Sequence, residues 1–323
     1  MITSEQVTLA YQLLLGRDPE SPEIINNLCQ TVHSVSALRE SFIRSAEFRQ
    51  RMGEVLDKKQ NVQLRHPFHL PYIPVESETS DDQMRKMFER IKYEWSYLGE
   101  TEPYWSTITQ PQYHTDQFEG HRHQFYQSGK YVVDIFMAAM RRCNVNPSQI
   151  KSILEVGCAV GRVTQHLAAQ FPKVIACDIS LPHIKIAKSQ MSNQGITNVD
   201  FIGWDNPLAL YQLPSVDAIH SVIVLQHNPP PLIRWILKNL LACLNPGGVA
   251  FIQIPTYRNG YLFEVERYLQ SPQPNTLEMH FLPQQDIFKV IEYADCVCLE
   301  IREDGMVGDE SLMLSNTFLI QKH

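Results

Sequence analysis

Hydrophobic and polar residues alternate in blocks along the second half of the chain, from about residue 150 onward. Short apolar runs, typical of buried strands, are separated by longer segments in which apolar residues recur every three or four positions, as in helices. The runs include SILEV, KVIACD, VDFIG and GVAFIQIP, and the helical segments include LPHIKIAKSQMSNQ and PPLIRWILKNLLACL. Strands and helices that alternate at these lengths predict an α/β fold with a doubly wound, mainly parallel sheet.

The rest of the chain divides into zones with different patterns. Residues 1–52 have helical periodicity and predict a small all-helical domain, and residues 53–80, charged and then spaced by prolines, predict a linker or a surface strap. Residues 81–149 are helical and rich in aromatic side chains, which fits either a lid over a ligand or ordinary core. We therefore expect the sheet domain to occupy 150–323, with a long insertion at about 256–281.

The N-terminal zone carries its own helix signals. Ser4 is a candidate N-cap, and Gly16 is the expected stop of the first helix. The sequences AYQLLLGRDPE and SALRESFIRSAEFRQ resemble a small helical domain of unknown function that occurs beside bacterial carbohydrate-modifying enzymes. This resemblance implies a docking role or a setting in glycan or surface chemistry. A helical cap that only packs on its neighbour is the alternative.

Composition and charge exclude several classes of protein. The 323 residues are 44% hydrophobic and 20% charged, which is enough apolar material for a sizeable core and excludes a largely disordered chain. A formal net charge of −7 argues against a general nucleic-acid binder, which needs a basic face. No apolar run approaches the ~20 residues that span a bilayer. The opening MITSEQVTLA lacks the pattern of a secretory signal.

The seven cysteines are scattered, and several lie in apolar runs. This distribution favours free thiols in a reducing cytoplasm over disulfides. Cys296 and Cys298 share one face of a predicted strand, but no further ligand with zinc spacing accompanies them. His121 and His123 are an equally incomplete set. We therefore expect no metal site and a cytoplasmic location.

The turn after the first predicted strand reads ILEVGCAVG over residues 153–161. Gly157 allows a tight turn, and Gly161 allows the helix and the strand to approach closely. In the G-x-G-x-x-G fingerprint of dinucleotide enzymes, the second and third glycines would be Ala159 and Arg162. A long arginine side chain would crowd a pyrophosphate there. An NAD-dependent oxidoreductase therefore remains only as a rival interpretation.

The same turn resembles motif I of class I S-adenosylmethionine-dependent methyltransferases, acidic-x-G-x-G-x-G. Its positions are occupied here by Glu155, Gly157, Ala159 and Gly161. The alanine departs from the pattern, and we expect it to be tolerated only if its backbone has a negative φ. Cys158 lies in the same loop, where a small apolar filler is expected rather than a nucleophile.

Residues after the next strands complete the candidate cofactor site. Asp178 closes the second strand, where a carboxylate can accept both ribose hydroxyl protons, and a helix N-cap is its alternative role. Asp205 follows the third strand and is a candidate acceptor for the adenine amino group, with Trp204 or Ile179 against the ring. An ordinary turn residue is the alternative for Asp205. The resemblance adds Val222, after the fourth strand.

The resemblance extends over about residues 95–323, from LGETEPYWSTIT through VDAIHSVIVLQHNPP and LNPGG to SNTFLIQK. The group is a set of bacterial methyltransferases. It implies a seven-stranded Rossmann-like sheet with an antiparallel last hairpin, here 296–302 and 317–322. It also implies S-adenosyl-L-methionine as the cofactor.

Two histidines are candidates for catalysis. Methyl transfer needs a nucleophile held in line with the methyl group, and a hydroxyl nucleophile must also lose its proton. His227 follows the fourth strand, and an ordinary histidine pKa of about 6.5 suits proton removal at neutral pH. A histidine at a helix start, held by a backbone carbonyl, is the alternative. His280 is the second candidate, because it lies in the insertion where such folds build acceptor pockets.

The sequence therefore predicts a methyltransferase that modifies a hydroxyl group of a sugar or a secondary metabolite. Its expected partner is a small-molecule or glycan acceptor, with no nucleic acid and no membrane span. Residues 228–231 read NPPP and lack the aromatic ring that would stack a flipped base. N-methylation of an amine or a peptide and a non-catalytic scaffold are the alternatives. Nothing in the sequence fixes the oligomeric state.

Overall fold

The computed structural model of the protein describes residues 2–48, 71–204, 212–272, 277–307 and 313–323. The chain divides into two compact units, Met1–Phe68 and His69–His323.

The first unit is helical in its described part. Helices α1 (Ser4–Ala10), α2 (Pro22–Thr31) and α3 (Val35–Arg44) enclose a small apolar core, and a π-helical turn over Tyr11–Leu15 prolongs α1. The predicted N-cap at Ser4 is wrong by one residue. Thr3 is the cap, because its hydroxyl accepts from the Gln6 backbone N–H while the Gln6 side chain accepts from the Thr3 N–H. Gly16 ends the helix with a φ of 63°, as expected.

Residues 71–80 form a strap on the second unit. Val75 pairs with Phe263 in a parallel bridge, and the Glu76 carboxylate accepts the backbone N–H of Val265 at 2.6 Å. Ile73 is only 4% exposed. This part of the predicted linker therefore belongs to the packed structure of the second unit. The long helices α4 (Asp81–Thr101) and α5 (Arg122–Arg142) follow it.

A seven-stranded sheet forms the centre of the second unit, in the order β3-β2-β1-β4-β5-β7-β6. Its strands are β1 (Ser152–Val156), β2 (Lys173–Asp178), β3 (Val199–Gly203), β4 (Val216–Ser221), β5 (Leu244–Arg258), β6 (Cys296–Glu303) and β7 (Met313–Lys322). Strand β7 is antiparallel to both of its neighbours, and β1 to β5 are parallel. The predicted mainly parallel sheet with an antiparallel last hairpin is confirmed.

Helices cover both faces of the sheet. They are α6 (Thr164–Ala168), α7 (Leu181–Asn193), α8 (Pro230–Ala242), α9 (Val265–Gln270) and α10 (Gln284–Tyr293), together with α4 and α5. Alternate strand residues face opposite layers. In β1, Ile153 joins the core under α5 and Leu154 joins the core under α8. Strand β1 lies between β2 and β4, so the order of the strands reverses at its carboxyl end, where such folds bind ligands.

Candidate functional site

A cavity opens at the carboxyl ends of β1, β2 and β4. Its empty volume, which includes the solvent at its mouth, is about 980 Å³. It is lined by most of the predicted cofactor residues: Glu155, Gly157, Cys158, Ala159, Asp178, Ile179, Trp204 and Val222. Gly161 is absent from this lining, and Asp205 lies outside the described residues. Residues from three strand ends thus converge on one space.

Both glycines of the loop after β1 have a positive φ, 76° at Gly157 and 84° at Gly161. A Cβ atom on Gly157 would lie 2.3 Å from Val224 Cγ2, which no side-chain atom can tolerate. A Cβ on Gly161 would lie 3.0 Å from Met191 Cε. Gly161 therefore allows the loop after β1 to approach helix α7 closely, rather than a strand.

Ala159 contradicts its expected backbone conformation. Its φ is 43°, in the left-handed region, so the expectation of a negative φ is wrong. The Asp178 carboxylate compensates, because Oδ2 accepts the Ala159 N–H at 2.8 Å while Oδ1 accepts the Ser180 N–H at 2.8 Å. A carboxylate oxygen has two acceptor positions, so each Asp178 oxygen keeps one for a ligand donor.

Glu155 is buried at the floor of the cavity. Its Oε2 lies 2.5 Å from the Thr164 hydroxyl. Burial raises the pKa of Glu155 to about 8, although the Thr164 hydrogen bond and the Arg162 charge act in the opposite direction. At neutral pH this carboxyl group is therefore mainly protonated and can act as a hydrogen-bond donor.

Three polar side chains of the cavity lining have buried nitrogen atoms without a partner among the described residues. They are Nε of Arg162, Nε1 of Trp204 and Nε2 of His220. Buried polar groups are normally hydrogen-bonded, so these atoms indicate a polar ligand. Burial and the Arg162 charge lower the pKa of His220 to about 3, which keeps this imidazole neutral.

Sequence reasoning did not assign Arg162 or His220 to the site. Arg162 was considered only as an obstacle to a pyrophosphate. The signal for His220 was available, since it is a polar residue near the end of the apolar strand VDAIHS.

The aromatic-rich residues 81–149 contribute to the cavity lining and to the core. Phe88, Ile91 and Trp95 of α4 line the cavity, together with Thr107. A separate cluster around Val160 forms ordinary core from Tyr104, Tyr113, Phe118, Phe125 and Tyr126. Only a few side chains of residues 81–149 therefore line the cavity.

His227 lies beside the cavity, not in its lining, although its neighbours Leu225 and Asn228 belong to the lining. Its ring contacts the edge of Trp95 at a centroid distance of 5.2 Å. Nδ1 donates to the Glu278 carbonyl at 2.9 Å, and Nε2 is 3.3 Å from the Gln226 amide nitrogen. The expected alternative, a histidine held by a backbone carbonyl, describes this geometry.

The expected ordinary pKa of His227 is wrong. Desolvation among the surrounding side chains lowers the pKa to about 4, and the nearby His280 adds to this effect. The hydrogen bond to the Glu278 carbonyl only partly opposes it. His227 is thus a neutral imidazole throughout the physiological pH range.

His280 is buried and lies outside the cavity lining as well. It borders a second groove together with Tyr261, Tyr268 and Glu278. Its backbone N–H donates to the Gln226 carbonyl at 2.7 Å, so the segment that carries His280 is attached to the turn that carries His227. The structure therefore brings the two candidate histidines together next to the cavity.

Within the described residues, no three His, Cys, Asp or Glu side chains group as metal ligands would. In the same part of the chain, no helix combines the length and the hydrophobicity needed to cross a membrane. All seven cysteines, including Cys296 and Cys298, are free thiols.

Comparison with known proteins gives one family match. Residues 154–250 match a family model described as a methyltransferase domain. Ubiquinone biosynthesis O-methyltransferase of Coxiella burnetii is 30% identical over 101 residues, 31% of this chain and 42% of that protein. tRNA (guanine-N(7)-)-methyltransferase of Nitrosomonas eutropha is 27% identical over 132 residues, 38% of this chain and 58% of that protein. The chain thus spans less than two thirds of the length of these relatives.

A solved structure shares the fold. Magnesium protoporphyrin IX methyltransferase (ChlM) from Synechocystis PCC 6803, with bound SAH, superposes with a TM-score of 0.50 at 16% identity. The match covers 72% of this chain and 100% of that chain.

Proposed function

We propose that this chain, which carries a class I methyltransferase domain at residues 154–250, transfers the methyl group of S-adenosylmethionine to a hydroxyl group of a small-molecule or glycan acceptor. One observation carries the proposal: the cavity at the ends of β1, β2 and β4 is lined mostly by residues of the matched domain and collects most of the motif residues. S-adenosylmethionine supplies a methyl group on a positively charged sulfur, which is a good leaving group.

The chemistry of the lining supports this cofactor. Asp178 offers carboxylate acceptors for ribose hydroxyl groups, and Ile179 and Trp204 offer apolar surface for the adenine ring. The Arg162 guanidinium, whose Nε has no partner among the described residues, is a suitable counter-ion for the carboxylate of the methionine part. A diphosphate would need donors along the loop, whereas Asp178 already occupies the Ala159 N–H.

His227 is the proposed proton acceptor. Its Nδ1–H is fixed on the Glu278 carbonyl, so the lone pair is on Nε2. The Gln226 amide now donates to this lone pair, and an acceptor hydroxyl group would take its place. The lowered pKa keeps the imidazole ready to accept a proton, but it also makes His227 a weaker base than an ordinary histidine.

The protein's charge and thiols support the remaining proposals. The formal net charge of −7 favours a neutral or cationic acceptor over a nucleic acid, although one relative is a tRNA methyltransferase. Seven free cysteines support a reducing compartment such as the cytoplasm.

Calorimetry followed by an activity assay tests the function. We expect S-adenosylhomocysteine to bind and to raise the melting temperature, while NAD does neither. With labelled S-adenosylmethionine, label should appear in methyl ethers when glycans or phenolic metabolites are offered. Binding of NAD alone would refute the proposal. Binding of S-adenosylhomocysteine without transfer to any acceptor would favour a scaffold, and label in amines would favour N-methylation.

A further inference from the structure

A second groove lies near the turn that carries His227. It is formed by residues 258–271 and 278–280, has an empty volume of about 1410 Å³ and is lined by Tyr261, Phe263, Tyr268, Glu278 and His280 among others. The segment that carries Glu278 and His280 is attached to the turn after β4 by two hydrogen bonds. One joins the His280 N–H to the Gln226 carbonyl at 2.7 Å, and the other joins His227 Nδ1 to the Glu278 carbonyl at 2.9 Å.

Two polar atoms face each other in this groove without partners among the described residues. They are Glu278 Oε2 and His280 Nε2, and they are 3.6 Å apart, too far for a direct hydrogen bond. His280 is only 6% exposed. Burial and the nearby Glu278 carboxylate, toward which the Tyr268 hydroxyl is directed, raise the pKa of Tyr268. A buried polar pair of this kind indicates a missing polar ligand group.

The hydrogen bonds around the pair identify one donor and one acceptor. Tyr261 Oη lies 2.9 Å from His280 Nδ1. We assign the Tyr261 O–H as the donor in this hydrogen bond, which places the His280 proton on Nε2. Burial opposes ionisation of Glu278, but His280 and Arg90 outweigh it and hold the pKa of Glu278 below its usual value. Glu278 is thus an acceptor-only carboxylate.

The separation of the pair matches a single hydroxyl group. An oxygen atom can lie about 2.8 Å from both atoms when they are 3.6 Å apart, accepting from His280 and donating to Glu278. An ammonium group has only donors and would leave the His280 N–H unpaired, and a phosphate or carboxylate would be repelled by Glu278.

Arg90 does not turn the groove into an anion site. Its Nη1 donates to the Tyr268 and Ser271 carbonyls, and its Nη2 donates to the Pro272 carbonyl and forms an ion pair with Glu278 Oε1 at 3.6 Å. The guanidinium also lies over the Tyr268 ring at 4.4 Å.

We propose that Glu278 and His280 bind one hydroxyl group of the methyl acceptor, and that this acceptor is a neutral polyol such as a sugar residue. The proposal rests on the proposed function, because the segment that carries Glu278 and His280 is hydrogen-bonded to the turn that carries His227. A second hydroxyl group of the same acceptor receives the methyl group near His227. The rings of Phe263 and Tyr268 pack 5.4 and 5.5 Å from the His280 ring and hold that imidazole in place.

Binding of methyl hexopyranosides and their monodeoxy analogues to the full chain, saturated with S-adenosylhomocysteine, tests this. Ligand-observed NMR gives the affinities. We expect removal of one particular hydroxyl group to weaken binding to the wild-type protein about 10- to 100-fold. The same deletion should cost several-fold less affinity in Glu278→Gln and in His280→Ala than in the wild-type protein, because each variant removes or weakens one of the two hydrogen bonds to that hydroxyl group. Glu264→Gln, the same charge change on an exposed carboxylate of the groove, should keep the wild-type pattern.

Several results would overturn the assignment. These are equal affinity for all deoxy analogues, a wild-type pattern in Glu278→Gln, preference for tyramine over every glycoside, or no glycoside binding at millimolar concentration. If the variants do not fold, binding of the deoxy sugars and of tyramine to the wild-type protein still tests whether the site recognises a hydroxyl group. If S-adenosylhomocysteine fails to bind, the proposed function is at fault, and the sugar measurements without it still test the hydroxyl site.

Discussion

The Asp178 carboxylate accepts the backbone N–H of Ala159 at 2.8 Å and so connects the end of β2 to the loop after β1. Ala159 has a φ of 43°, in a region that costs a non-glycine residue roughly 1–2 kcal/mol. The other Asp178 oxygen accepts the Ser180 N–H, where helix α7 begins. Asp178 therefore shapes the cavity as well as lining it. A substitution at Asp178 should change both the stability of the protein and its affinity for the cofactor.

Asp178→Asn should weaken S-adenosylhomocysteine binding about 10- to 150-fold, since hydrogen bonds to a charged acceptor contribute about 1.5–3 kcal/mol. Asp217→Asn is the matched control. Its carboxylate also accepts backbone N–H groups, from Lys151 and Ser152, but at the opposite end of β1. Calorimetry should find wild-type affinity in the Asp217 variant, with both proteins losing thermal stability. Equal affinity in the two variants would remove Asp178 from the cofactor site.

Ala159→Gly should stabilise the protein, because glycine adopts a positive φ without strain. The gain is reduced by the extra entropy of glycine in the unfolded chain, which leaves up to about 1 kcal/mol. Ala169→Gly makes the same change at an exposed residue with a φ of −77° and should destabilise by about 0.5–1 kcal/mol. Urea unfolding measures both differences. Destabilisation by both variants would mean that the left-handed alanine is not strained.

Glu155→Gln should change how stability depends on pH. Burial holds the pKa of Glu155 at about 8, above its usual value, so the folded form keeps a proton that the unfolded form loses. Stability from this group is present below about pH 4.5 and declines as the pH rises toward 8, by an amount on the order of a few kcal/mol. The glutamine should flatten that decline. Glu292→Gln, at an exposed residue, should leave the pH dependence of stability as in the wild-type protein. If neither variant changes that dependence, Glu155 is ionised in the folded protein.

The sequence pattern predicted the sheet because buried strands and amphipathic helices have different periods. It could not predict the backbone of Ala159, since the strain there is offset by Asp178, a contact across 19 residues. The sequence could not predict the lowered pKa of His227 either. Desolvation by side chains from distant segments, including the one that carries His280, causes that lowering. Local pattern specifies elements, whereas strain and desolvation arise from tertiary contacts.

Residues 71–80 should stabilise the second unit, whereas the N-terminal helical unit should be removable without loss of cofactor binding. A protein truncated to begin at residue 71 should keep wild-type affinity for S-adenosylhomocysteine, because the second unit has its own core. A protein that begins at residue 81 loses Ile73 and the Glu76 hydrogen bond, and should be less stable by about 1.5–3 kcal/mol. Thermal unfolding compares the two. Equal melting temperatures would make residues 71–80 dispensable, and an unfolded first truncation would make the helical unit part of the core.

His227 is best tested by two substitutions that differ in what they preserve. His227→Ala removes both the base and the donor to the Glu278 carbonyl, whereas His227→Asn keeps a donor but cannot take up a proton. If His227 is the base, both variants should lower kcat by about 10²-fold, the lower end of the usual range because a pKa of about 4 makes a weak base. Cofactor affinity should hardly change, since Asp178 and the Gly157 loop line the cavity and His227 does not.

The pH profile separates this from a structural role. The base is active in its neutral form, so the wild-type rate should fall only as the pH approaches about 4, rather than near the ordinary histidine value. The variants should lose that acid limb. If His227 only positions Glu278, the asparagine should restore kcat and the alanine should mainly raise KM for the acceptor. Measuring kcat and KM across pH for all three proteins decides, and full activity in the asparagine variant would transfer proton removal from His227 to solvent.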